Sequence, residues 1–210
     1  MATVVTNGVL KRVRRANLNV AIVEEVDGSW SELVYLIFVD ITIRPATADD
    51  VPLVLQFIKA LGDYEKLAHQ VVATEAGLRD ALFGSRPDAE VVIAFAGGEP
   101  AGFALFFHNF STFLGRRGLY LEDLFVKAEW RGHGVGKRLL IHLARLAVER
   151  NCGRFEWAVL DWNEPAIEFY RRLGAQPLHE WTVFRVTGDE LHELAGVEPN
   201  SAAHGRSGSR

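Results

Sequence analysis

The sequence predicts an α/β (α+β) domain in which helices flank a mixed central sheet built around an antiparallel meander. Three observations predict it. β-prone apolar runs at 90–96, 101–107 and 119–126 follow one another across turns, as in a meander. Amphipathic segments at 51–61 and 135–149 repeat their apolar residues at helical spacing. A further β-prone run at 154–160 follows the second of these helices, where it would lie parallel to the 119–126 strand.

Composition bounds the function before any motif is read. The chain has 210 residues, enough for one domain or one domain plus an appendage. It is 49% hydrophobic and 24% charged, as ordinary globular proteins are. A formal net charge of -4 argues against a nucleic-acid partner. No apolar run reaches the roughly 18 residues needed to span a bilayer, so no membrane partner is expected. A single cysteine, Cys152, precludes an internal disulfide and suits a reducing, cytoplasmic setting. The seven histidines are scattered without metal-ligand spacing, and no metal is expected.

Residues 17–26 and 30–43 are two β-prone runs around Asp27-Gly28, a hairpin signature. Lys11, Arg12, Arg14 and Arg15, with no acid among the first twenty residues, have the composition of an organelle transit segment. An apolar h-region and a small-residue cleavage site are lacking, so this is not a secretory signal. Residues 1–39 are read as an extension outside the main domain, for which a start placed upstream of Val39 is one account. The domain is expected over 40–197, and the Ser/Gly-rich segment 198–210 as a disordered tail.

Ile41-Thr42-Ile43-Arg44-Pro45 reads as a short strand ended by proline, and Thr47 to Asp50 as a capping box. The helix that follows buries Val51, Leu55, Ile58 and Leu61 and is expected to end at Gly62. Thr74 caps a second, short helix through Phe83. Between them Asp63-Tyr64-Glu65-Lys66 reads as a solvated loop. The hairpin turn is Gly97-Gly98-Glu99-Pro100, and 109–117 reads as a loop.

The strand at 119–126 carries two adjacent acids, Glu122 and Asp123. Alternation would put them on opposite faces, so at most one would face a ligand. A salt bridge to Arg154 or Arg185 is the competing account of a carboxylate in this strand. The strand leads into Arg131-Gly132-His133-Gly134-Val135-Gly136-Lys137 and then a helix with Leu139, Leu140, Leu143, Leu146 and Ala147 on one stripe. Free N–H groups and the positive dipole end at such a helix start can hold a phosphate, and the glycines let it approach. A dinucleotide fingerprint fails, because the third glycine position falls on Lys137 or Leu139. A P-loop fails as well, because Arg138 follows Gly136-Lys137.

What remains is an [RQ]-x-x-G-x-[GA] loop between strand and helix. Downstream, Asn163 caps a helix with Ala166, Ile167, Tyr170 and Leu173 on one face, closed by Gly174. Taken by periodicity alone, Tyr170 is a core aromatic. Together the loop and W-N-E-P-A-I-x-F-Y-R-R-x-G-A resemble the GNAT superfamily of acetyl-CoA-dependent N-acetyltransferases. The match is nearest its diamine (spermidine/spermine) and thialysine N-acetyltransferase subfamily, and covers about residues 41–190. A closing strand is expected over 180–187, and a last turn of helix over 189–194.

The resemblance implies a GNAT fold with a splayed parallel strand pair, acetyl-CoA as co-substrate and a homodimer. It implies that Leu124, Phe125, Val126, Arg131, Gly132, His133, Gly134, Val135, Gly136, Lys137, Asn163 and Ala166 hold the coenzyme. Glu122 would face the amine, and Tyr170 would lie against the coenzyme sulfur as acid for the departing thiolate. Tyr64, Glu65 and Glu122, with Glu180, would bind the substrate. An alkylammonium of pKa near 10.4 needs about 4.6 kcal/mol to lose its proton at pH 7. A carboxylate of ordinary pKa is poorly matched to take it directly, so Glu122 is expected to act through an ordered water. Glu65, Glu122, Asp161 and Glu180 are all anionic, which favours a small polyamine, diamine or thialysine-like substrate. The alternatives are another amine, in an aminoglycoside, an amino acid or a protein lysine, or a non-catalytic acetyl-CoA-sensing domain.

Overall fold

A computed structural model describes residues 2–6, 9–15, 20–25, 36–37 and 40–198, the stretches before residue 40 through their strand pairing alone. The chain divides into two compact units, Met1–Ala158 and Val159–Arg210.

The first unit contains two sheets. One is β1 (Ala2–Thr6), β2 (Val9–Arg15), β3 (Val20–Glu25) and β4 (Leu36–Ile37), in that order and antiparallel throughout. The expected pairing of the runs on either side of Asp27-Gly28 is present, with Val20 opposite Ile37. Asp27 and Gly28 themselves lie outside the described residues, as does the tail from 199 onward. The run at 30–43 does not form one strand. Within it, β4 belongs to this sheet and β5 (Ile41–Pro45) to the next. The polar Asp40 precedes β5, and its carbonyl accepts from Gly97 N–H at 3.0 Å.

The second sheet runs β5-β6-β7-β8-β9, with β6 (Glu90–Ala96), β7 (Glu99–Ser111), β8 (Arg116–Val126) and β9 (Phe155–Trp157). The first four strands are antiparallel, and β9 runs parallel to β8. Ala96 pairs with Glu99, so the hairpin turn is the pair Gly97-Gly98, whose φ of 61° and 91° glycine adopts without strain. β7 and β8 are longer than the sequence predicts. Their ladder continues to Ser111 opposite Arg116, and the expected loop at 109–117 shrinks to 112–115.

α1 (Val51–Glu65) and α2 (Glu75–Phe83) cover one face of this sheet. Val54, Phe57, Leu61, Leu82, Val91, Ile93, Phe103 and Phe125 form its core, with Phe57 and Phe103 stacked at 5.4 Å. α3 (Val135–Glu149) packs on the other, burying Leu139, Leu140, Leu143 and Ala147 as its periodicity predicts. The entry to α1 is fixed by Asp50, which accepts from Thr47 N–H at 2.7 Å and pairs with Arg44 at 2.7 Å. That pairing holds the Asp50 carboxyl well below the usual range. Thr74 caps α2, accepting from Gly77 N–H at 3.2 Å.

Gly62 does not end α1. The helix runs three residues further and stops at Lys66, which takes the left-handed φ of 63°. Gly62 is there for packing: a Cβ on it would lie 2.7 Å from Val71 Cγ2, so the following chain crosses the helix at a point only glycine permits. Tyr64 and Glu65 therefore stand on a helical turn rather than in a loop.

The second unit contains α4 (Glu164–Arg172) and α5 (Gly188–Ala195). The closing strand expected over 180–187 is not formed. β-prone residues make a strand only where a partner ladder takes their backbone groups, and among the described residues this segment pairs with none. Trp181, Val183 and Phe184 are 71%, 85% and 89% exposed.

Candidate active site

The register of β8 organises the site in the first unit. β8 pairs with β7 in step from Val126 back to Asp123 opposite Leu105, but the next pair is Leu121 with Phe106. Glu122 is the extra residue of a β-bulge, and bulges reset the side-chain alternation of the strand that carries them. Before it Leu121 pairs with Phe106, on the α3 face. After it Phe125 pairs with Phe103, on the α1 face. The bulge therefore puts Asp123 on the α1 face, while Glu122, its extra residue, is exposed. On that face Asp123 feels the charges of both Glu122 and Glu65.

Asp123 and Glu65 thus come near one another where the last turn of α1 meets the middle of β8, with the exposed Glu122 adjacent in the chain. Burial, then repulsion from Glu122 and Glu65, pushes the Asp123 carboxyl up to about 6. Burial also raises Glu65. None of the three forms an ion pair among the described residues. The salt-bridge alternative through Arg154 is accounted for differently, because Arg154 pairs with Glu156 at 2.8 Å. Asp123 is the site residue that sequence reasoning left aside. The signal that would have found it is the bulge, which a period-two reading cannot contain.

The other half of the candidate site begins where β8 parts from β9. The two pair only over Leu119–Leu121 with Phe155–Trp157, so at Leu124, Phe125 and Val126 the edge of β8 facing β9 carries no ladder. Such an edge leaves backbone groups able to pair with an extended ligand. Val126 O accepts from Arg131 Nε at 2.9 Å, which folds the turn back on the strand end. The same guanidinium lies 4.3 Å over the Tyr64 ring and 5.8 Å over that of Phe125, tying the end of α1 to the turn. The Arg131 side chain therefore braces the turn, and Tyr64 carries it. His133 is fixed by its Nδ1 against Arg131 O at 3.0 Å and by Trp130, edge to face at 6.0 Å.

The turn itself fits a diphosphate. Gly132 and Gly134 take φ of 80° and 87°, and a Cβ on either would meet nothing within 4 Å, so both border open space. Gly134 caps α3, whose first backbone bond runs from Arg138 N–H to Gly134 O at 3.0 Å. The N–H groups of Val135, Gly136 and Lys137 precede that bond and have no helical acceptor. Val135 is buried and anchors the turn, while Lys137 is exposed beside it. A pyrophosphate-bearing coenzyme is the ligand these features suit. Among the described residues no cluster of side chains is arranged to hold a metal ion.

In the second unit Asn163 is buried and caps α4, accepting from Ala166 N–H at 3.4 Å. Tyr170 is half-buried on the same helix, its ring 5.4 Å from that of Phe169. Glu180 lies exposed in a turn.

Comparison with known proteins gives these parts a family. Residues 58–175 match the model of the Acetyltransferase (GNAT) family. The chain is 40% identical over 167 residues to the thialysine N-epsilon-acetyltransferase of Sus scrofa, covering 74% of this chain and 98% of that protein. It is 35% identical over 197 residues to an L-ornithine N5-acetyltransferase of Arabidopsis thaliana, covering 72% and 86%. An integron cassette protein from the mobile metagenome of V. cholerae superposes with a TM-score of 0.63 at 29% identity, over 74% of this chain and 97% of that one. The chain belongs to the GNAT family and is an N-acetyltransferase that acts on amines.

Proposed function

We propose that the protein transfers acetyl from acetyl-CoA to a primary amine of a small cationic substrate, by direct attack with both substrates bound. The observation that carries the substrate class is that the half-buried Asp123 feels both Glu122 and Glu65, three acids that form no ion pair among the described residues. Burial first and then repulsion raise Asp123, and a dication placed there offsets both, so the site favours positive charge by more than the attraction of one carboxylate. Thialysine and ornithine, which the relatives' names specify, each carry a side-chain amine, and diamines and polyamines offer the same group.

The coenzyme supplies an activated acetyl thioester. Gly132, Gly134 and Gly136, with the N–H groups of Val135 and Lys137, would hold its diphosphate, and the edge of β8 at Leu124, Phe125 and Val126 would hold its extended arm. A backbone N–H of that edge would be the group to stabilise negative charge on the thioester oxygen. Glu122 draws the ammonium in and receives its proton through water. Asp123, whose carboxyl sits nearer neutrality, is the second group able to hold that proton, and Tyr64 and Glu65 complete the amine side. Asn163 and Ala166 form the start of α4, and the family resemblance gives Tyr170 on that helix the task of protonating the thiolate. Glu180 is a further substrate residue. We place the domain at 40–197, with 1–39 outside it.

The exposed Trp181, Val183 and Phe184 support a homodimer in which that segment gains a partner. The lone Cys152 supports a cytoplasmic setting, and the net charge of -4 supports small molecules over nucleic acid as partners. No helix among the described residues is long and apolar enough to cross a membrane.

Release of coenzyme A thiol, followed across putrescine, spermidine, spermine, lysine, ornithine and thialysine, tests the reading. Turnover is expected with at least one dicationic amine. Acetyl-CoA binding without thiol release from any amine would make the domain a sensor instead, and turnover confined to aminoglycosides or protein lysines would move the substrate class. Glu122→Gln should raise the apparent pKa on kcat/KM or abolish turnover, and an unchanged pH profile removes Glu122 from its role.

A further inference from the structure

A concavity of about 570 Å³ lies at the far end of α3 from the glycine turn. Its walls are His108 and Phe110 near the end of β7, Arg116 and Arg117 at the start of β8, and Arg150 and Asn151 just past α3. Fifteen helical residues separate its two ends, so at 1.5 Å each this pocket stands about 22 Å from the diphosphate turn. Its volume falls within the usual range for small-molecule sites.

The charge in it is one-sided. Three arginines and a histidine are among its lining residues, and among the described residues no acidic one is. Arg150 is answered by Glu90, with Nη2 donating to Oε2 at 2.8 Å. Arg116 and Arg117 are exposed and have no acidic partner among the described residues, in a chain that is acidic overall. The end of α3 contributes about half a negative charge at most, which two guanidinium groups outweigh. The histidine reports the same field: burial first, then Arg150 and Arg117, lower its pKa, with only Glu90 opposing them. His108 Nε2 lies 3.5 Å from Arg150 Nη1, and the ring of Phe110, 62% exposed, adds an apolar surface.

A guanidinium presents a planar fork that matches carboxylate and phosphate oxygens two at a time, which lysine cannot do. We propose that this pocket binds a small oxyanion with at least two negative charges, a phosphate ester or a di- or tricarboxylate. Arg117 grips it from the face that carries His108 and Phe110, with Arg150 and His108 behind it and Arg116 at the rim, at a site separate from acetyl transfer.

The test uses the full chain saturated with coenzyme A, so that the glycine turn is occupied, and titrates it calorimetrically with pyrophosphate and with citrate. Saturable one-to-one binding of either is expected, and the tighter of the two assigns phosphate or carboxylate. Arg117→Ala should weaken it at least tenfold, and Arg116→Ala with Arg117→Ala should abolish it while amine acetylation stays at its normal rate, which certifies the fold. In the NMR titration of His108 a bound anion should raise the imidazole pKa, since it favours the charged ring. Absence of binding by both probes, binding that survives the double substitution, or a His108 titration that neither probe moves would each overturn the proposal.

Discussion

Substitution of Asp123 by Asn tests the carboxylate cluster without relying on turnover. A carboxyl whose pKa rises from an ordinary 3.8 to about 6 on folding binds more protons folded than unfolded between those values, so stability falls as pH rises through that window. At 1.36 kcal/mol per unit, the ionised group costs the fold about 3 kcal/mol at pH 7.5 and about half of that at pH 5. Asn carries no charge and escapes this cost. Its own packing or hydrogen-bond changes are independent of pH, so the informative quantity is the stability gained at pH 7.5 minus that gained at pH 5. For a chain of this size that difference of about 1 to 2 kcal/mol corresponds to roughly 3 to 6 °C in Tm. The assay is thermal unfolding of both proteins at the two pH values, repeated with a saturating diamine. The amine should narrow the gap by stabilising the parent protein at pH 7.5 more than the variant. A gain equal at both pH values would show that Asp123 is not held near neutrality, and the acidic-site account of amine recognition would lose its support.

Three further outcomes follow from other parts of the molecule. Tyr170→Phe should lower kcat by about a hundredfold while acetyl-CoA still binds, measured by single-turnover thiol release beside equilibrium binding; near-normal kcat removes the acid role. Gly134→Ala forces a non-glycine residue to φ 87° and puts a methyl group into the space beside the α3 amides, so KM for acetyl-CoA should rise at least tenfold with KM for the amine little changed; a rise in both equally would point to general loosening. Gly62→Ala brings a Cβ within 2.7 Å of Val71 and should cost about 1 to 3 kcal/mol in urea unfolding; no loss would mean that the crossing chain simply moves aside.

The glycine turn and α3 were legible because their signals are local: three glycines, an apolar stripe and the cap all lie within one short window. The helix of Tyr170 was legible for the same reason, through Asn163, Pro165 and Gly174. What escaped was set by distant residues. Gly62 looks like a helix terminator until Val71, nine positions on, is seen to need the space its missing Cβ leaves. The run at 180–187 has strand-forming side chains, but a strand is a property of two segments, and the sequence of one does not report whether the other is there. The acids of β8 show the principle most sharply. Period-two alternation assigns Glu122 and Asp123 to opposite faces, and it holds for every strand whose partner is in step. Here the partner slips by one at Leu105 and Phe106, and nothing within 119–126 marks the slip. That single unpaired residue changes which parity of β8 faces α1. It moves Asp123 from the α3 side, among leucines, to the side where Glu65 stands, and so creates an acidic site from two carboxylates that the sequence alone would have kept apart.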